Sequence, residues 1–310
     1  MKNHDPTNFW HDSMVMALIH RCLVVLVGGF FGFAAQAGSE LSSHVKSEYF
    51  HINDPSETGL GFLADTNLLY VGGCRVFELK KREFGKTCLY PADLRWAAVS
   101  PDGSLLLGSA APVDGGKGTS YQLDAVTGRV LSSRRGLYFA PPIAISPTNK
   151  YWVGSFAAAN AIGSEHLGLM GRDWRIKKQN IDAGVQRIFR LDFSENGEHL
   201  WVNGHGSTSA RLDTVNWEVS SDIDACDACG NLAFVDQKAG IGVRFIQKKA
   251  IIKSLEDGRA LFEVDIDSSR AEPEVAISKD GKLLAIKGNF EKDGKVNYGF
   301  VLVDLKSLVR

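Results

Sequence analysis

No segment of this chain reads G-x-S-x-G, the sharp turn on which an α/β-hydrolase presents its nucleophile. Residues 115–120 (GGKGTS) miss the phosphate-loop pattern because Gly118 follows Lys117, and no helix is expected after them to hold an anion. Cys226 and Cys229 are followed by Gly230 rather than histidine, which excludes covalent haem attachment. The chain also lacks an excess of charge of either sign. Its formal net charge is -1, so no global field draws it to nucleic acid or to an anionic membrane. His44, His51, His166, His199 and His205 are scattered and mark out no metal site. Asp222, Asp224 and Asp227 resemble part of a calcium loop, but Ala233 stands where the closing glutamate belongs.

Glycine, by contrast, is abundant, at 32 of 310 residues, which fits a chain with many turns. Near the N-terminus, Arg21 precedes an apolar run over residues 22–33, and Ala34-Ala-Gln-Ala37 follows. A cation, a short apolar core and an A-x-A exit form a secretory signal. Cleavage is expected after Ala37, with translation starting at Met1 or, since residues 1–13 are long for a leader, at Met14 or Met16. An uncleaved anchor is the rival reading, although the run falls short of the ~20 residues a span needs. Export places the protein in the periplasm or outside the cell, with residues 38–310 as the mature domain and no transmembrane span in it. There the remaining Cys74, Cys88, Cys226 and Cys229 meet an oxidising medium. Cys74 and Cys88 flank a charged turn between two strand-like runs, so a cross-strand disulfide is expected. Cys226 and Cys229 are open to three readings: a loop disulfide, a redox-active pair or metal ligands.

One unit organises the chain. Residues 96–108 read WAAVSPDGSLLLG, an apolar run, a tight turn and a second apolar run. Proline presets φ and glycine supplies the positive φ of such a turn, so the stretch is a hairpin. It recurs as PIAISPTNKYWVG at 142–154, FRLDFSENGEHLWVNG at 189–204 and EVAISKDGKLLAIKG at 274–288. Weaker copies are GFLADTNLLYVGG at 61–73 and LAFVDQKAGIGVRF at 232–245. The following half-unit repeats as well: YQLDAVTGRVL at 121–131, ARLDTVNWEV at 210–219 and IIKSLEDGRAL at 251–261. The aspartates in these turns are read as backbone-binding turn residues rather than ligands. Each unit thus offers four short strands over roughly 40–50 residues, the span of a propeller blade.

The fold expected is therefore an all-β, six-bladed propeller, with seven blades as the alternative count. After Leu305 too little chain remains for a fourth strand, and an open ring would expose strand edges. The strand-like run KSEYFHIN at 46–53 belongs to no other unit. It is expected to pair beside residues 299–305 and close the ring.

The pattern A-x-S-P-D-G-x-x-L followed by L-D-x-x-T-G resembles the YVTN-type and WD40-like β-propeller families, and Leu69-Tyr-Val-Gly72 resembles the tetrapeptide that names the first. The resemblance covers residues 60–310. No Trp-Asp dipeptide occurs, which departs from the standard WD40 pattern. What the resemblance implies is fold, since propellers host enzymes and inert scaffolds alike. An exported binding or scaffold module is the expected function, with a protein or small-molecule partner over the central channel and no cofactor. The alternative is a propeller enzyme or enzyme subunit, resembling a lactonase or the cofactor-free propeller subunit of a quinoprotein amine dehydrogenase. Trp152 and Trp201 are expected in packing between blades. Arg172, Trp174 and Arg175 form a candidate recognition patch, with a solvated blade edge as the alternative.

Overall fold

The computed structural model describes residues 46–308 except 54–57, 65, 111–117, 138, 156–165, 186–187, 205–208, 221–233, 237, 247, 268–272 and 293–294. Strand β1 (Ser47–His51) comes first in the chain but belongs to the last blade. Blade 1 holds β2 (Gly61–Phe62), β3 (Leu68–Tyr70), β4 (Val76–Glu78) and β5 (Glu83–Phe84). Blade 2 holds β6 (Leu94–Val99), β7 (Leu105–Ala110), β8 (Thr119–Asp124) and β9 (Val130–Arg135). Blade 3 holds β10 (Ala140–Ile145), β11 (Tyr151–Ser155), β12 (His166–Gly171) and β13 (Ile176–Asp182). Blade 4 holds β14 (Ile188–Phe193), β15 (His199–Gly204) and β16 (Ser209–Asp213), with a single bridge from Leu212 to Val219 where a fourth strand would lie. Blade 5 holds β17 (Phe234–Asp236), β18 (Ile241–Ile246), β19 (Lys249–Ser254) and β20 (Ala260–Asp265). Blade 6 holds β21 (Glu274–Ile277), β22 (Leu283–Lys292) and β23 (Lys295–Asp304), with β1 on its outer edge. Six antiparallel sheets in a ring make a six-bladed β-propeller. Among the described residues, helix is confined to a 3-10 turn at Leu305–Ser307.

The hairpin turns repeat because one hydrogen-bond pattern repeats. Ser100 Oγ accepts from Leu105 N at 2.9 Å and donates to Asp102 Oδ1 at 2.6 Å, while Gly103 sits at φ 71°. Ser278 does the same with Leu283 N and Asp280, around Gly281 at φ 68°. Ser194 does so with His199 N and Asn196, around Gly197. In blade 3 Asn149 takes the positive-φ place, one of the few side chains that tolerates it. The second turn of the unit is closed by a side-chain acceptor too. Asp124 Oδ1 accepts from Val126 N and Thr127 N, and Asp213 Oδ1 from Val215 N and Asn216 N. These aspartates are turn-formers, as read from the sequence.

Middle strands are apolar on both faces because each blade is packed between two others. In β7, Leu106 joins the cluster shared with blade 1, while Leu105 and Leu107 join the one shared with blade 3. In β22, Leu284 and Ile286 face blade 5, and Ala285 faces blade 1. The period of two thus assigns alternate residues to alternate neighbours.

Closure follows the expected pairing. β1 runs antiparallel to β23, with Ser47 opposite Val303 and His51 opposite Gly299. Phe50 packs against Phe77 of blade 1 and Phe300 of β23, at 4.5 and 5.1 Å between ring centroids. Gly299 is what lets β1 approach, since a Cβ there would lie 2.2 Å from Phe50 O.

Candidate functional site

The first strand of each blade forms the inner ring, with β2 beside β21 and β6, and β10 beside β6 and β14. Two sets of polar side chains join blades along this ring.

The first set is on β14. Arg190 forms a two-pronged ion pair with Asp192, through Nε to Oδ2 and through Nη2 to Oδ1 at 3.0 Å. Its guanidinium lies 5.0 Å from the ring centroid of Phe234 on β17. Nη2 also reaches Val275 O on β21 at 3.5 Å. One side chain therefore spans the inner strands of blades 4, 5 and 6. The pair is not sealed in, for the side chains keep 14% and 28% of their exposure. A planar guanidinium with a carboxylate beside it offers donors and acceptors together, which suits recognition of a polar group.

The second set joins blade 6 to the segment leading into blade 1. Lys287 on β22 is fully buried, and its Nζ donates to Glu274 Oε1 at 3.1 Å and to Gly59 O at 3.2 Å. Glu274 Oε2 in turn accepts from Gly59 N at 2.8 Å. Gly59 adopts φ 112°, and a Cβ on it would lie 2.7 Å from both Ala97 O and the Tyr70 ring. Only glycine fits there. A buried ammonium is costly without a counter-charge, and Glu274 provides it.

Loop 171–175 carries the candidate recognition patch. Arg172 and Arg175 are exposed. Trp174 is half-buried at φ 59°, edge-on to Trp152 with centroids 5.3 Å apart. Its indole N–H donates to Ser132 Oγ of blade 2 at 3.0 Å, and Gln122 Nε2 of blade 2 donates to Arg172 O at 2.8 Å. The loop is thus fastened across the blade 2–blade 3 junction, with the arginines outward. Trp152 is wholly buried between those blades, and Trp201 lies under the Arg211 guanidinium at 5.9 Å.

Cys74 and Cys88 lie at disulfide distance, with Cα atoms 4.8 Å apart. The pair brackets β4 and β5, the outer half of blade 1. Cys226 and Cys229, the expected leader through Ala37, the 115–117 part of the glycine loop and Asp222, Asp224 and Asp227 lie outside the described residues. Among the described residues, no three His, Cys, Asp or Glu come together as a metal site, and no helix is long and apolar enough to cross a membrane.

Comparison of the sequence with protein-family models and with curated proteins returns no match. The fold defines the class, a six-bladed β-propeller, and the inner-ring pairs define what is particular to this chain.

The sequence reading did not single out Arg190, Asp192, Glu274 or Lys287. Lys287 leaves a signal: a lone cation inside the apolar run LLAIKG, where both faces of the strand are buried. Arg190 and Asp192 leave one as well, opposite charges two apart in the strand run IFRLDF, but the contacts with Phe234 and Val275 of later blades leave none.

Proposed function

We propose that this propeller is an exported binding or scaffold module that engages a protein or small-molecule partner over its central channel. The observation that carries this is Arg190 with Asp192, a partly exposed charge pair reaching the inner strands of blades 4, 5 and 6. Such a pair presents directional polar contacts on a rigid ring, the arrangement a specific binding site needs. A relation to YVTN-type or WD40-like repeats rests on the Ser-x-Asp-Gly turns and is part of this proposal. So is export, which the Cys74–Cys88 pair supports, since disulfides persist in oxidising compartments.

The test is affinity capture from the envelope and culture fluid of cells making the full chain, compared with Arg190→Ala and Asp192→Ala. Loss of one captured partner in both variants, with unchanged thermal unfolding, supports the reading. Turnover of a lactone, or of an amine in a reconstituted subunit assembly, sinks it in favour of the enzyme alternative. Mass spectrometry of the mature chain decides export, with a start at Gly38 expected.

A further inference from the structure

We propose that the outer edges of blades 2 and 3 form a docking face for an acidic, extended protein segment, separate from the channel. β9 and β13 are the last strands of their sheets, so their outer edges present backbone donors and acceptors to solvent. Such an edge can accept an added strand. Two independent features single out this sector. The large apolar side chains that the described residues leave most exposed are Val130 at 48%, Leu131 at 41%, Ile176 at 46%, Val215 and Val219. All five belong to the outer strands or outer turns of blades 2, 3 and 4.

The second feature is charge. β9 ends in Arg134 and Arg135 with no acid in the strand. β13 carries Lys177 and Lys178 near its start and one acid, Asp182, at its end, and Asp173 in the preceding turn pairs with Lys177 and Arg175, so the cations on the two edges still outnumber the acids. By contrast, β20, the outer strand of blade 5, carries Glu263 and Asp265. With a whole-chain net charge of -1, the excess of cations on blades 2 and 3 is local. Basic side chains also keep bare sheet edges apart, but that need is met on blade 5 by acids instead. The Trp174–Ser132 and Gln122–Arg172 hydrogen bonds hold the 171–175 loop against β8 and β9, with Arg172 and Arg175 exposed.

The occupant follows from the chemistry. Single-stranded nucleic acid needs exposed aromatic rings to stack on, and the exposed apolar groups here are aliphatic while Trp174 is turned edge-on to Trp152. A lipid surface is met by one broad apolar face rather than by aliphatic groups set along separate strand edges. Aliphatic anchors, cations and open backbone groups together fit a protein strand that alternates acidic and branched apolar residues.

The probe is a fluorescein-labelled peptide of alternating Glu and Val, about ten residues long, titrated against the full chain at low and high salt. Expected are saturable binding that weakens with salt and slowed amide exchange along β9 or β13. The double variant Arg134→Glu, Arg175→Glu should lose roughly tenfold in affinity, while Ile176→Ser should lose less. Both changes are at exposed positions, and unchanged thermal unfolding verifies folding. Capture of the channel partner should be unaffected, which separates this inference from the preceding one. No binding at low salt, equal binding by the double variant, or preference for polythymidylate or phosphatidylglycerol vesicles over the peptide overturns the proposal.

Discussion

Glu274 and Lys287 stand directly opposite each other on β21 and β22, and their side chains close a 3.1 Å ion pair whose ammonium is wholly buried. Through Gly59, which bonds to both, the pair ties blade 6 to the start of blade 1. The two partners are not equivalent, because Glu274 keeps 29% of its side-chain exposure and Lys287 none. Glu274→Ala strands a buried cation and should cost about 3–5 kcal/mol. Lys287→Met leaves a carboxylate that can rehydrate and still accept from Gly59, and should cost roughly 1–2 kcal/mol. Urea unfolding of the two variants checks the order, and an equal or reversed order would contradict the buried-cation account.

Trp217 occupies the place that Gly128 and Gly258 hold in the equivalent turns, at φ 64° against 70° and 69°. A left-handed conformation costs a non-glycine residue about 1–2 kcal/mol. The strain is offset by burial, since Trp217 is 8% exposed and meets Tyr151 of blade 3 edge-on at 6.0 Å. Losing such a side chain costs about 3–5 kcal/mol. Packing therefore wins, and Trp217→Gly should destabilise by roughly 2 kcal/mol. A variant as stable as the parent would show that the packing of the indole does no more than offset the backbone strain, and would contradict this balance.

The hairpin turns predict acid sensitivity. The Asp280 carboxyl is drawn from 3.8 to about 2, first by its hydrogen bond from Lys282 and then by that from the Ser278 hydroxyl. Burial works to raise Asp102, but donors from Ser100, Ser104 and Asn149 outweigh it and leave the carboxyl below its usual range. Both folded-state values lie below the unfolded value, so these groups stabilise the protein when ionised. Their contribution is complete above about pH 5, shrinks as pH falls through the unfolded value and is gone below about pH 2. Melting temperature measured over that range should fall less steeply in Asp102→Asn, Asp280→Asn than in the parent. Added salt should flatten the Asp280 part, because that side chain is half exposed. Identical slopes in parent and double variant would contradict this.

Replacing Cys74 and Cys88 with serine opens a loop of 14 residues and should cost about 3 kcal/mol under oxidising conditions. The same pair of substitutions should be neutral when the parent is reduced. Denaturant midpoints with and without reductant separate the two cases, and a midpoint insensitive to reductant would show that the thiols are not joined.

Much of the fold was legible because its cause is local. Ser100, Ser194 and Ser278 each bind the first amide of the next strand, so the same residues recur at each turn. The weak copies have lost that serine. In blade 1 Leu63 stands in its place, and in blade 5 Asp236 caps Ala239 N instead. The closing strand was legible from leftover chain at both ends of the repeat. The contacts between blades were not, since Arg190 and Phe234 meet across blades and no spacing in the sequence records that distance. Trp174 shows the opposite limit: its basic neighbours mark a patch, but the indole itself is held against Trp152.

The central claim is that one ring of six blades is sealed by residues 47–51 on the edge of β23. Native-state amide exchange of β1, compared with that of β22 and β23, tests it most directly. The account predicts that the β1 amides bonded to β23 exchange only through opening of the whole blade, with the same denaturant dependence as their neighbours in β23. Rapid exchange of those inward-facing amides while β22 and β23 stay protected would mean that the ring is not sealed there.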